Sequence, residues 1–141
     1  MVRRSVEKGA HAVHVCVYHV VWATKYRRRV LDLSNPGSSV TVSDRLKELV
    51  QVKAAERGWT VRAVETMPDH VHLVVQADSV APPHYIAAQF KGYTSRVLRD
   101  EFPVLVRLLP SLWTRSYFIA TAGDVSAKTI QAYVESQRTR P

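Results

Sequence analysis

"WTVRAVETMPDHVHLVVQ", residues 59–76, decides the fold. Two runs rich in β-branched residues, 59–66 and 70–76, flank a short break, Met67-Pro68-Asp69. Proline removes an N–H and aspartate favours turns, so the break reads as a tight connection between two strands. Side chains alternate along a strand. Val71, Leu73 and Val75 therefore share a core face, and His70, His72, Val74 and Gln76 share the other.

Working outward, "HAVHVCVYHVVWAT" (11–24) has the composition of a long first strand. Val13, Val15, Val17 and Val21 fall on one face of it, and Cys16, Tyr18 and Trp22 on the other. A basic exit, "KYRRRV", leads to the loop "DLSNPGSS". Residues 41–58 read as a helix with Ser43 as N-cap, Leu46, Leu49, Val50 and Lys53 at helical spacing, and Gly58 as the stop. Residues 81–102 read as a second helix opened by two prolines, with a stripe at Ile86, Phe90, Tyr93 and Val97. "PVLVRLLPSLWT" (103–114) reads as an irregular connection, 116–123 as a fourth strand and 125–140 as a terminal helix.

The order β-α-β-β-α-β followed by a helix predicts an α+β, ferredoxin-like (split βαβ) antiparallel sheet. Two helices cover one face, and the other face is left for function. The 141 residues, 46% hydrophobic, suit one domain over 1–141 with its own core. Fold alone does not give function.

Composition narrows the possibilities. Lys plus Arg number 20 against 12 acidic residues, a net charge of +8, which points to a polyanionic partner, most simply nucleic acid. A solvated basic surface is the alternative. One cysteine, Cys16, excludes an internal disulfide and a Cys-rich zinc site. No run approaches the roughly 20 apolar residues of a membrane span. The start "MVRRSVEKGAHA" lacks an apolar signal core, so a cytoplasmic protein without a membrane partner is expected.

The roots of His70 and His72 stand roughly 6.6 Å apart on an extended strand, close enough for both rings to hold one metal ion. The same spacing fits two exposed histidines with no ligand. On the terminal helix Tyr133 and Gln137 are four apart and share a face. Gln137 offers a carbonyl oxygen and Tyr133 a phenol, although taken alone the pair fits the packing face of a helix better. Lys25, Arg27, Arg28 and Arg29 form one basic cluster, and Lys91, Ser95, Arg96 and Arg99 a second along the later helix. Such rows can follow phosphates. Tyr26, Trp113 and Tyr117 lie near them and can stack on unpaired bases, Trp113 with a core position as the alternative.

Five segments together resemble the single-tyrosine HUH transposases of single-stranded insertion sequences (TnpA-type). They are "YHVVWATKYRRRVL", "MPDHVHLVV", "FKGYTSRVLRDEFP", "LWTRSYFIATAG" and "YVESQ", in that order across nearly the whole chain. The resemblance implies a metal-assisted DNA transposase that cleaves and rejoins single-stranded ends with hairpins, through a 5′-phosphotyrosine intermediate. It implies Tyr133 as nucleophile, His70, His72 and Gln137 as metal ligands, Mg²⁺ (or Mn²⁺) as cofactor, and a homodimer. Imidazole ligands by themselves favour zinc, nickel or manganese. Tyr93 departs from the family's smaller residues in the "FKGYTSR" segment. The other readings are a domesticated nuclease that processes repeated hairpins, and a non-catalytic ferredoxin-like nucleic-acid-binding module.

Overall fold

The structure is a computed structural model in which residues 15–121 and 127–137 are described. The hairpin forms as the alternation predicts. Strand β2 (Thr60–Met67) and β3 (His70–Asp78) pair antiparallel across the turn at Pro68 and Asp69, with a bulge between Val61 and Ala63. The turn is anchored from outside. The Asp69 carbonyl accepts from the Thr24 N–H at 3.0 Å, and the Pro68 carbonyl from Leu31 N–H at 3.0 Å.

Strand β1 (Val15–Ala23) pairs with β3 from Val15↔Asp78 to Ala23↔His70. Its other edge carries β4 (Phe118–Thr121), giving the antiparallel order β2-β3-β1-β4 of a ferredoxin-like sheet. The Tyr18, Val20 and Trp22 side of β1 enters the core with Val71, Leu73 and Val75 of β3. Helices α1 (Val42–Arg57) and α2 (Pro83–Glu101) cover that face with Leu46, Leu49, Val50, Ile86 and Phe90. Each fully buried Leu, Ile or Phe contributes about 1.5–3 kcal/mol of apolar burial.

Several boundaries differ from expectation. The N-cap of α1 is Thr41, not Ser43: Thr41 and Asp44 form a reciprocal capping box that Ser43, already inside the helix, cannot make. Gly58 ends the helix in the left-handed conformation as expected, φ 75°. The buried stripe of α2 runs Ile86, Phe90, Thr94 and Leu98, while Tyr93 and Val97 sit at its margin. Residues 103–114 are not wholly irregular, since Pro103–Leu108 form a short helix, α3, with a proline at its first turn. Strand β4 starts at Phe118 rather than 116, because 114–116 turn aside to meet β1 and α2. The ends of the expected first strand (11–14), fourth strand (122–123) and terminal helix (125–126 and 138–140) lie outside the described residues. Within them the terminal helix stops at Ser136, and Gln137, expected on it, follows as a turn residue whose N–H closes a tighter bond to Val134 O at 3.1 Å.

Helix α4 (Ala127–Ser136) lies on the opposite face, against β1. Val134 on α4 and Val21 on β1 are both buried. The Phe118 and Tyr133 rings stand 6.0 Å apart. Since Val21 is level with Phe118 on one side and His72 on the other, α4 occupies the β1/β4 half of the histidine face. Among the described residues no helix is long and apolar enough to cross a membrane.

Candidate active site

His70 and His72 project from the sheet face that α1 and α2 leave uncovered, both half-buried. His70 is held by its neighbour, with Nδ1 2.8 Å from Asp69 Oδ1. That contact leaves Nε2 as the ring nitrogen for a ligand, a common arrangement around metals. Asp69 is buried and gripped in turn by Arg27, whose Nε and Nη2 both reach Oδ2 at 2.8 Å. Burial pushes the Asp69 carboxyl up, but hydrogen bonds from His70 and Arg27, with the Arg27 charge, outweigh it and leave the carboxyl below its usual range. Arg27 also faces Glu135 of α4 at 3.4 Å, so one guanidinium ties the histidine turn to the tyrosine helix.

Arg27 reaches both partners from an unusual backbone. Tyr26 and Arg27 have φ of 58° and 53°, consecutive left-handed residues without glycine. Each such residue costs roughly 1–2 kcal/mol. Tyr26, Arg27, Arg29 and Asp69 line a cleft of about 360 Å³ at this corner.

His72 meets a histidine that the sequence reading did not single out. His19 Nδ1 lies 2.9 Å from His72 Nε2, on the same face of β1. One ring donates and the other accepts, which requires a neutral nitrogen at the contact. Burial, then the nearby His19, push His72 below the ordinary imidazole value, and the opposed Glu65 only partly offsets them. Both effects favour the neutral imidazole, the form that binds metals.

Tyr133 and Gln137 converge on Ser116. Ser116 Oγ lies 3.1 Å from Tyr133 Oη and 2.5 Å from Gln137 Oε1, and Gln137 is buried. The Ser116 segment is pinned from behind by Lys91, whose ammonium donates to Thr114 O at 2.7 Å and Ser116 O at 2.9 Å. Burial lowers the Lys91 pKa to about 8.

The donor chemistry fits a divalent ion in part. Two imidazoles, one of them braced by a carboxylate, share a face whose other half carries α4, with the Gln137 amide in the turn that follows it. Among the described residues no three His, Cys, Asp or Glu side chains are grouped to hold a metal, so any third protein donor would be of another kind, such as this amide oxygen.

The two basic clusters separate. Arg28 and Arg29 are exposed at the histidine end of β1, and Lys25 is half-exposed with its ammonium over the Tyr26 ring. Arg27 and Lys91 are instead engaged within the fold, for their heads are committed to Asp69 and to backbone carbonyls. Ser95, Arg96 and Arg99 lie on α2, which packs on the sheet face opposite the histidines. Arg96 stacks over Tyr93, and Arg99 donates to Leu109 O at 3.1 Å. Of the three aromatics, Tyr26 is exposed and Tyr117 half-buried. Trp113 is core, edge-on to Trp22, with its N–H on Thr94 Oγ1.

Residues 12–137 match the family described as "Transposase IS200 like". The chain belongs to the IS200-like transposase family. This transposase is 36% identical over 138 residues to the ISDra2 transposase TnpA of Deinococcus radiodurans, covering 96% of the chain and 93% of that relative. It is 29% identical over 134 residues to the transposase for insertion sequence element IS200 of Salmonella typhimurium, covering 91% and 80%. Among solved structures, a Deinococcus radiodurans chain assigned as a transposase superposes with a TM-score of 0.79 at 33% identity, covering 94% of this chain and 98% of that one. A REP-associated tyrosine transposase, solved bound to a REP hairpin, shares the fold alone, with a TM-score of 0.53 at 13% identity over 96% and 68%.

Two residues of the candidate site, His19 and Ser116, escaped the sequence reading. Strand alternation puts His19 on the Val17 and Val21 face, but its contact with His72 needs the β1–β3 register. Ser116 sits just before a strand, in a place where nothing local marks it.

Proposed function

We propose that this transposase cuts and rejoins single-stranded DNA ends that carry hairpins, with Tyr133 as nucleophile. The observation that carries the reading is the meeting of the Tyr133 hydroxyl and the Gln137 amide oxygen on Ser116. They meet on the sheet face that also bears His70 and His72. In the step proposed, Tyr133 Oη bonds to the scissile phosphorus while the bond from phosphorus to the 3′ oxygen breaks. The product is a 5′-phosphotyrosine and a free 3′-hydroxyl, which receives the proton the phenol loses. Rejoining is the reverse attack by a 3′-hydroxyl, so no nucleotide is consumed.

His70, His72 and Gln137 would hold Mg²⁺ or Mn²⁺, which supplies polarisation of a phosphate oxygen when bound. Asp69 and Arg27 orient His70, and imidazole and amide ligands, being neutral, leave the charge of such an ion undiminished. Arg28 and Arg29, with the exposed Tyr26, are the side chains best placed to take the phosphates and an unpaired base beside the cut. The same reading includes a homodimer in the cytoplasm, and light scattering of the purified chain reports its mass.

The test is cleavage of labelled single strands from the ends flanking this gene, across a Mg²⁺ titration. Tyr133→Phe is expected to bind but not cut, and mass spectrometry to place DNA on Tyr133 in the parent. His70→Ala and His72→Ala are expected to lose metal-dependent cleavage while folded. An adduct on Tyr117 or Tyr93, or parental cutting by both histidine variants, refutes the assignment.

A further inference from the structure

Tyr133 on α4 and Gln137 just beyond its end are seated by a side chain that has no part in the chemistry above. Donor accounting fixes how. Ser136 Oγ donates to Tyr133 O at 2.7 Å, so toward Gln137 it has only lone pairs to offer, and Gln137 Nε2 donates to it at 3.0 Å. This sets the amide with Oε1 toward Ser116. An amide oxygen only accepts, so the single hydroxyl proton of Ser116 goes to Gln137. Ser116 then meets Tyr133 as an acceptor, and the phenolic O–H points at Ser116 Oγ. The oxygen lone pairs, which must attack phosphorus, are turned away from Ser116. Ser116 is fixed in its turn, because its carbonyl is held by the half-buried Lys91 ammonium at 2.9 Å.

We infer that Ser116 is a positioning residue for strand cleavage, setting from one point the direction of the Tyr133 hydroxyl and the seat of the Gln137 oxygen. The inference rests on the reading of Tyr133 as nucleophile. Ser116 does not remove the phenolic proton, since neither a hydroxyl nor the amide oxygen beyond it is a base of useful strength. Its contribution is orientation, and misplacement of a reacting group by about 1 Å can cost on the order of 100-fold in rate. A merely structural tie between α4 and the segment that leads into β4 would instead affect folding and DNA binding.

The experiment uses the full chain and the single strand flanking this gene, hairpin included, in single-turnover cleavage at saturating Mg²⁺. Ser116→Ala is expected to lower the cleavage rate constant about 10- to 100-fold. Its half-saturating DNA concentration and its affinity in gel shifts should be unchanged. Ser116→Thr keeps the hydroxyl and is expected to recover most of the rate. Should Ser116→Ala melt early, Ser116→Cys keeps the size with a poor hydrogen-bonding group and carries the same expectation. Tyr133→Phe runs alongside. If it is inactive while folded Ser116→Ala or Ser116→Cys cuts at the parental rate, Ser116 does not position the tyrosine and only this inference falls. A loss confined to DNA affinity has the same consequence. If Tyr133→Phe cuts at the parental rate, the nucleophile assignment itself falls.

Discussion

Removing the Arg27 side chain separates two energies that the corner after β1 combines. In Arg27→Ala, Asp69 loses the guanidinium that reaches it twice at 2.8 Å, with the two side chains only 14% and 9% exposed. Breaking a buried ion pair from one side costs about 3–5 kcal/mol. The low end, about 3 kcal/mol, applies because His70 still bonds the other carboxyl oxygen. The half-exposed Glu135 adds less than about 1 kcal/mol. Arg27→Gly removes the same contacts but relieves the φ of 53°, worth about 1 kcal/mol relative to alanine. Thermal unfolding followed by circular dichroism should therefore show a fall in Tm of about 10 °C for Arg27→Ala and about 7 °C for Arg27→Gly. The sign with pH follows from the lowered Asp69 carboxyl. Its stabilisation is present above the unfolded aspartate value, about 3.9, and is lost as pH falls through the folded one. The gap between parent and Arg27→Ala should therefore narrow in acid. If Arg27→Gly melts at or below Arg27→Ala, the left-handed backbone is not strained. If both match the parent, the ion pair does not stabilise the turn.

Two further outcomes concern α2. A Cβ added at the exposed, helical Gly92 meets nothing within 4 Å, so Gly92→Ala should stabilise by up to about 1 kcal/mol in urea unfolding; destabilisation would mean the position needs glycine for another reason. Lys91 has a folded pKa of about 8 against a reference of 10.5. The unfolded chain therefore holds more protons between those values, and the stability of the parent relative to Lys91→Met should rise with pH across that window; a fall would show that the ammonium is worth more to the two carbonyls than its burial costs.

The sheet was legible because each strand carries its own evidence. Val71, Leu73 and Val75 alternate with His70 and His72, and period two is a local signal. Helix α3 was not, since six residues give less than two turns of pattern and Pro103 reads as a breaker as readily as a first-turn residue. The N-cap slipped because Thr41 and Ser43 are both good caps, and only the return bond from Asp44 chooses between them. Within the site, the histidine pair and the tyrosine–glutamine pair show as short-range spacings. Arg27 and Lys91 were grouped with surface charges because sequence gives the sign of a charge but not its partner. For Arg27 that partner is an aspartate 42 residues away. For Lys91 it is two carbonyls, 23 and 25 residues away.

A β-sheet usually insulates its faces, because each strand sends alternate side chains to separate compartments. Here Lys91, on a helix of the core side, reaches carbonyls of the strand approach whose serine seats the tyrosine on the far side. The route runs around the β4 edge, not through the sheet. With Tyr133 as the proposed nucleophile, a substitution on the back of the molecule would alter the timing of chemistry at the front while every strand stays in register. Variants selected for activity in this transposase should accordingly gather along that rim as well as around the histidines.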